Sequence, residues 1–175
     1  IALWLFFSTI LGAIYPGVSA NMGILRKMPV NPLIFAISAT GMPLLTISIY
    51  LALLLCMSLY FGVAPSWTWL CLPFLVILVG LFAMGLGLLV CALGIYKRDI
   101  IVLLPIILQL GMFVTPIFFP PDIVPAQFRW AVSINPMAHA VTMFRDALFL
   151  EHIPAAFPLG VTCGMTLLAW LVGYP

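Results

Sequence analysis

The stretch Tyr96-Lys97-Arg98-Asp99 decides how the rest of the chain is read. Between Lys27 and Asp122 it holds the only charged residues, and both of its flanks are long and apolar. A charge at the centre of a bilayer costs roughly 2.5–3.5 kcal/mol on insertion scales. Three adjacent charges must therefore sit at a membrane surface. Lys97 and Arg98 end one apolar run, where a helix C-terminus favours cations. Asp99 opens the next run, where a carboxylate can cap an N-terminus. The cluster reads as a solvated turn between two membrane helices.

Composition agrees. The chain has 175 residues, 66% of them hydrophobic and 6% charged, with a mean hydropathy of +1.33. A soluble domain carries roughly 25% charged residues. The fold class that fits is all-α, a polytopic membrane helix bundle. The net charge of +2 is small and scattered, which argues against a nucleic-acid partner. Cys56, Cys71, Cys91 and Cys163 lie in apolar runs without C-x-x-C spacing and read as small core residues. The chain starts without Met, and both its ends fall in hydrophobic segments, so it is expected to be a piece of a longer one. Ile1 to Val18 has no basic leader and no cleavage signal.

Spans are expected at 1–18, 32–61, 67–95, 100–119 and, cut short, 157–175. In the first, Trp4, Phe6 and Phe7 can face lipid, a neighbouring helix or a pore. Residues 19–31 break the pattern: they are short, partly polar and basic, with Asn21, Arg26 and Lys27. Asn31-Pro32 reads as an N-cap and first turn. Pro43 interrupts the second span, and Trp67 and Trp69 open the third as interfacial anchors. Gly80, Ala83, Gly87 and Cys91 strip one face of that span of bulk, which lets helix backbones approach closely. Pro105 and Pro116 are expected kinks in the fourth, and Gln109 needs a partner in protein or a wet cavity. Arg26-Lys27 and Lys97-Arg98 are separated by two spans, and the loop between those spans has no basic residue. The positive-inside rule puts both pairs in the cytoplasm.

Residues 122–150 are too charged to span and too apolar for a free loop. Two short helices joined at Asn135-Pro136 fit, with Asn135 capping the second and Pro136 in its first turn. They lie on the outer surface or re-enter the membrane as a pair. His139, Met143 and Asp146 share one face of the second helix. Arg145 and Asp146 point apart, so Arg145 needs water, phosphate, a carbonyl or another carboxylate such as Asp122 or Glu151. No phosphate-cradling glycine loop and no hydrolase motif is present, and His139 and His152 are too few for a metal site. ATP, if used, is bound by another chain or domain.

Five pieces in order carry a family resemblance: Trp4 to Ser8, Asn21 to Pro29, Tyr96 to Ile100, Thr115 to Phe118, and Asn135-Pro136 followed by Phe144-Arg145-Asp146. Together they resemble the membrane permease of type-2 ABC exporters for surface polysaccharide, the O-antigen, capsule and teichoic acid export family. One departure is that Pro29 is followed by Val30-Asn31-Pro32, where the family commonly reads Phe-Pro.

The resemblance implies six spans in the full subunit, two permeases paired around a channel, and separate ATP-binding subunits below. ATP and Mg would belong to those subunits, with no cofactor on this chain and no enzymatic activity of its own. Residues 19–31, with Asn21, Arg26 and Lys27, would couple to the ATPase, and Lys97, Arg98 and Asp99 would lie on the same face. The helices at 122–150 would be re-entrant outer gate helices carrying Asp122, Asn135, Pro136, His139, Arg145 and Asp146. Aromatics such as Trp4, Phe6 and Phe7 would offer sugar rings flat contacts in the channel. The implied substrate is a polysaccharide or lipid-linked glycan, and the implied location is a bacterial inner membrane. The rivals are a permease for a drug, lipid or haem-related cargo, and a membrane-embedded glycan enzyme.

Overall fold

The computed structural model describes residues 1–28, 30–63, 66–115, 117, 129–150 and 155–173. Among these every regular element is helical. Helix α1 (Ala2–Ala20) leads into a short α2 (Met22–Lys27) and then α3 (Leu33–Tyr60). A 3-10 turn (Trp67–Leu70) runs into α4 (Cys71–Tyr96), and α5 (Asp99–Val114) follows. Then come α6 (Arg129–Ile134), α7 (Pro136–Arg145), a π turn (Asp146–Leu150) and α8 (Ala156–Gly173). Ala2–Ala20, Leu33–Tyr60, Trp67–Tyr96 and Ala156–Gly173 are each long and apolar enough to cross a membrane. The chain is a polytopic helical bundle.

Helix α4 is the centre, with α1 on one side and α8 on another. The small face expected from the sequence packs within the chain. Gly80 leaves room for Phe6 and Ile10, Gly87 for Ile14, and Gly94 for Tyr15. A different side of α4 takes α8: Gly85 lies against Ala169 and Trp170, and Gly173 lies against the carbonyl of Gly85. The Trp170 indole Nε1 donates to the Leu81 carbonyl at 2.9 Å. Lipid offers no hydrophobic drive for helix pairing, so close van der Waals approach at small residues has to supply it.

These contacts also fix direction. Residue numbers rise together along α1 and α4 and along α4 and α8, so the three helices run parallel. Helix α3 runs antiparallel to α1, with Gly17 beside Ala39 and Phe35. The parallel arrangement sets the end of α1, the turn after α4 and the end of α8 at one end of the bundle. Helix α7 and the end of α5 sit at the other.

Several hydroxyls in the spans are satisfied locally. Ser38, Thr46, Ser48, Thr162 and Thr166 each donate to the carbonyl four residues earlier at 2.7–3.0 Å. Each hydroxyl therefore needs no partner from outside its own helix.

Two helices stop where a proline follows. Met28 and Thr115 adopt extended backbone before Pro29 and Pro116, as the proline ring demands of its predecessor. Helix α5 thus ends at Val114 instead of continuing towards residue 119. Its 16 residues rise about 24 Å. Pro116 itself lies outside the described residues. Asp99 also departs from the expected cap. Arg98 holds the N-cap position without a side-chain capping bond, and Asp99 stands in the first turn of α5.

The α4–α8 contact gives a direct test. A Cβ at Gly173 would run into the backbone oxygen of Gly85, which cannot rotate away, whereas one at Gly164 of the same helix meets nothing within 4 Å. Gly173→Ala should lower stability by about 1–3 kcal/mol, as overpacking does. Gly164→Ala should hold or raise it. Thermal unfolding of the two variants in detergent checks the contrast.

Candidate functional site

The first candidate region is the basic end. Asn21 closes α1 and opens α2: its Nδ2 donates to the Gly17 carbonyl at 2.8 Å, and its own carbonyl accepts from the Ile24 and Leu25 amides. At the start of α3, Asn31 Oδ1 accepts from the Leu33 amide at 3.0 Å. Lys27, Lys97, Arg98 and Asp99 are all exposed, and Tyr96 beside them is 89% exposed. A cavity of about 600 Å³ opens here between α1, α2, α3, α4 and the end of α8, lined by Val18, Leu25, Leu33, Leu88, Cys91 and Gly173. The fold therefore brings Asn21, Lys27, Lys97, Arg98 and Asp99 to one face. Arg26 lies in α2 of the same face.

The second region is the opposite end. Asn135 caps α7, with Oδ1 accepting from the Met137 amide at 3.0 Å and Pro136 in the first turn. Its Nδ2 donates across the molecule to Thr115 Oγ1 at 3.0 Å. Met137, Ala140 and Met143 are buried, so α7 sinks one side into the bundle. His139 Nε2 lies 2.8 Å from the Ser133 carbonyl, and its ring meets Phe157 of α8 edge-on at 5.9 Å. Arg145 finds the carbonyl that the sequence left open among its possible partners: Nη2 donates to Ile117 at 3.1 Å. Asp146 is half-buried and begins the π turn. The hydroxyl of Thr68 donates to the Ala147 carbonyl at 2.6 Å and ties that turn to the start of α4. Asp122 and Glu151 lie outside the described residues.

Trp4, Phe6 and Phe7, which the sequence left to face lipid, a neighbouring helix or a pore, pack against neighbouring helices. Trp4, Phe6 and Phe7 are 6%, 3% and 5% exposed. Trp4 lies over Gly111 of α5, Phe6 lies over Gly80 of α4, and Phe7 stacks on Phe82 with centroids 5.6 Å apart. Gly111 and Gly80 thus accept the Trp4 and Phe6 rings. Thr115, Thr68 and the Ala147 carbonyl escaped the sequence reading. Only the proline after Thr115 hinted that a backbone break would place a hydroxyl there.

Residues 1–149 match the family described as ABC-2 type transporter. The chain belongs to that family. Helix α2, the turn at 97–99 and all of α7 fall within the matched stretch, and α8 lies beyond it. Among curated ABC-2 relatives, the chain is 26% identical over 159 residues to the O-antigen export system permease protein RfbA of Myxococcus xanthus, covering 89% of this chain and 61% of that protein. It is 24% identical over 135 residues to the protein of the same name from Klebsiella pneumoniae, covering 77% of this chain and 52% of the relative. It is 25% identical over 171 residues to the polysialic acid transport protein KpsM of Escherichia coli, covering 95% of this chain and 65% of the relative. The chain thus spans between about half and two thirds of the length of these relatives.

The Thr68–Ala147 bond should govern local order at the α7 end of this transporter domain. Thr68→Val keeps the shape and removes the donor, which costs about 1–3 kcal/mol at a buried site. Amide exchange at 146–150 should speed up while exchange in α1 stays unchanged.

Proposed function

We propose that this chain is part of the permease of an ATP-driven exporter that moves a polysaccharide, free or lipid-linked, across a bacterial inner membrane. The observation that carries the reading is the division of labour between the two ends of the bundle. One end presents exposed charge on two turns that three parallel helices hold together. The other closes with a half-buried helix. Relatives named for O-antigen export and polysialic acid transport supply the substrate class.

In this reading the basic end faces the cytoplasm, following the positive-inside rule. The α2 segment and the turn at 97–99 dock on a separate ATP-binding subunit, which supplies ATP and Mg, and this chain binds neither. Closure of that subunit pushes on α2 and the 97–99 turn. The long helices then shift as rigid bodies, and the outer helices 122–150 open the exit. Asp122, Asn135, Pro136, His139, Arg145 and Asp146 form the outer gate. Two permeases pair around the path. Helix α5 supports the pairing: its side bearing Val102, Ile106, Gln109 and Phe113 is exposed, and a glutamine amide there needs a partner once lipid surrounds the bundle.

Two variants of the full-length protein test the assignment. Arg26→Glu with Lys27→Glu should cut recovery of the ATP-binding subunit on affinity purification by about tenfold, an interface loss of ~1.4 kcal/mol. Undiminished recovery with intact export would remove α2 from the docking site. Arg145→Ala should reduce surface polymer while the complex still assembles. Normal surface polymer in that variant would take Arg145 out of the gate.

A further inference from the structure

Helix α7 is held on its several sides by different physics. Against α8 and α4 it packs broadly, burying Met137, Ala138, Ala140 and Met143. Towards the end of α5 its hydrogen bonds sit at its two ends, with the Ile117 side chain in the same apolar cluster as Met137 and Ala140. Asn135, at its N-cap, donates to Thr115 Oγ1 at 3.0 Å. Arg145, its last residue, donates to the Ile117 carbonyl at 3.1 Å. Both acceptors lie just beyond α5, and both residues are buried, Thr115 at 1% and Ile117 at 7% exposure. The backbone there is itself pinned, with the Thr115 amide on the Gly111 carbonyl at 2.9 Å and the Ile117 amide on the Thr115 carbonyl at 2.7 Å.

Helix α5 is meanwhile the loosest long element. Leu104 is its buried residue, and most of its other side chains are exposed. A packed interface slides or tilts by degrees, but two directional hydrogen bonds are either made or lost within a few tenths of an ångström. The seam between α5 and α7 is therefore where the outer end can separate at least cost, since α7 packs mainly on α8 and α4.

We propose that Asn135–Thr115 and Arg145–Ile117 form a latch that holds α7 across the end of α5 in the resting molecule and must open for cargo to pass. Thr115 is a positioning residue, since it acts by holding Asn135. Asn135 serves twice, its carbonyl capping α7 and its amide closing the latch. Loss of the latch thus need not unwind the helix, provided that the change is made at Thr115. The need to open rests on the export reading given above; the holding contact does not.

The test uses the full-length protein in its native membrane, with Cys56, Cys71, Cys91 and Cys163 replaced. One arm needs no transport. Met137→Cys, on the buried side of α7 at 2% exposure, is labelled with a membrane-impermeant maleimide. Adding Thr115→Val should raise the labelling rate about fivefold, the shift expected from losing one neutral hydrogen bond. Adding Thr115→Ser, which keeps the hydroxyl, should leave the rate unchanged. Equal rates for the Val and Ser variants would overturn the latch. In the other arm Ile117→Cys and Val141→Cys, which line one cavity and leave both hydrogen bonds in place, are oxidised to a disulfide, with closure scored by protection from a maleimide-polyethylene glycol. Surface glycan is then followed by periodate staining. Export should stop when the pair is oxidised and return on reduction. Normal export through the locked protein would refute the opening step while leaving the export reading intact. If no glycan reaches the surface in the reduced state either, the export reading fails, and the labelling arm still decides the latch.

Discussion

The approach of α4 to α1 and α8 at glycine is the contact on which everything else depends. In a membrane a leucine gains nothing by leaving lipid for another leucine, so helices associate where backbones can come close. Gly80, Gly87 and Gly94 admit side chains of α1, and Gly85 admits the end of α8. Because these contacts fix three helices parallel, they also decide which loops meet. The turn at Lys97 falls beside the end of α1, and α7 falls beside the start of α8. A two-ended bundle follows from a handful of missing Cβ atoms.

Much of this architecture is legible in the sequence because its signals are strong and local. Three adjacent charges in an apolar chain can only mark a surface. The small face of α4 shows in the spacing of Gly80, Ala83, Gly87 and Cys91. Asn135-Pro136 announces a capped helix, and the structure supplies the capping bond. The family resemblance rests on the same stretches, and the matched family covers 1–149.

What was not legible depends on partners far along the chain. Which of lipid, helix or pore Trp4 and Phe6 face shows only when Gly111 and Gly80 are placed beneath them. Thr68 and Ala147 are 79 residues apart, and Asn135 and Thr115 are 20 apart, with no pattern linking either pair. The backbone break at Thr115 was half visible: Pro116 predicted a kink, but the restraint on the residue before it ends the helix. Asp99 was expected to cap α5 or meet its dipole; the cap position went to Arg98, and Asp99 stands in the first turn, where a carboxylate meets the positive end of the dipole.

The two ends give the transport reading its logic. Exposed charge on short, well-braced turns suits a docking face, because α2 is fastened to α1 through Asn21 and can pass a push into a long helix. A half-buried helix held to one neighbour by packing and to another by two hydrogen bonds suits a gate. The central claim is that the basic end meets an ATP-binding partner. The direct measurement is affinity purification of the full-length protein from its native membrane in mild detergent, with mass spectrometry of whatever remains bound. A stoichiometric ATPase carrying a P-loop is the predicted result. A clean preparation without one, repeated in a second detergent, would contradict the account and shift attention to the charged residues between His139 and Glu151.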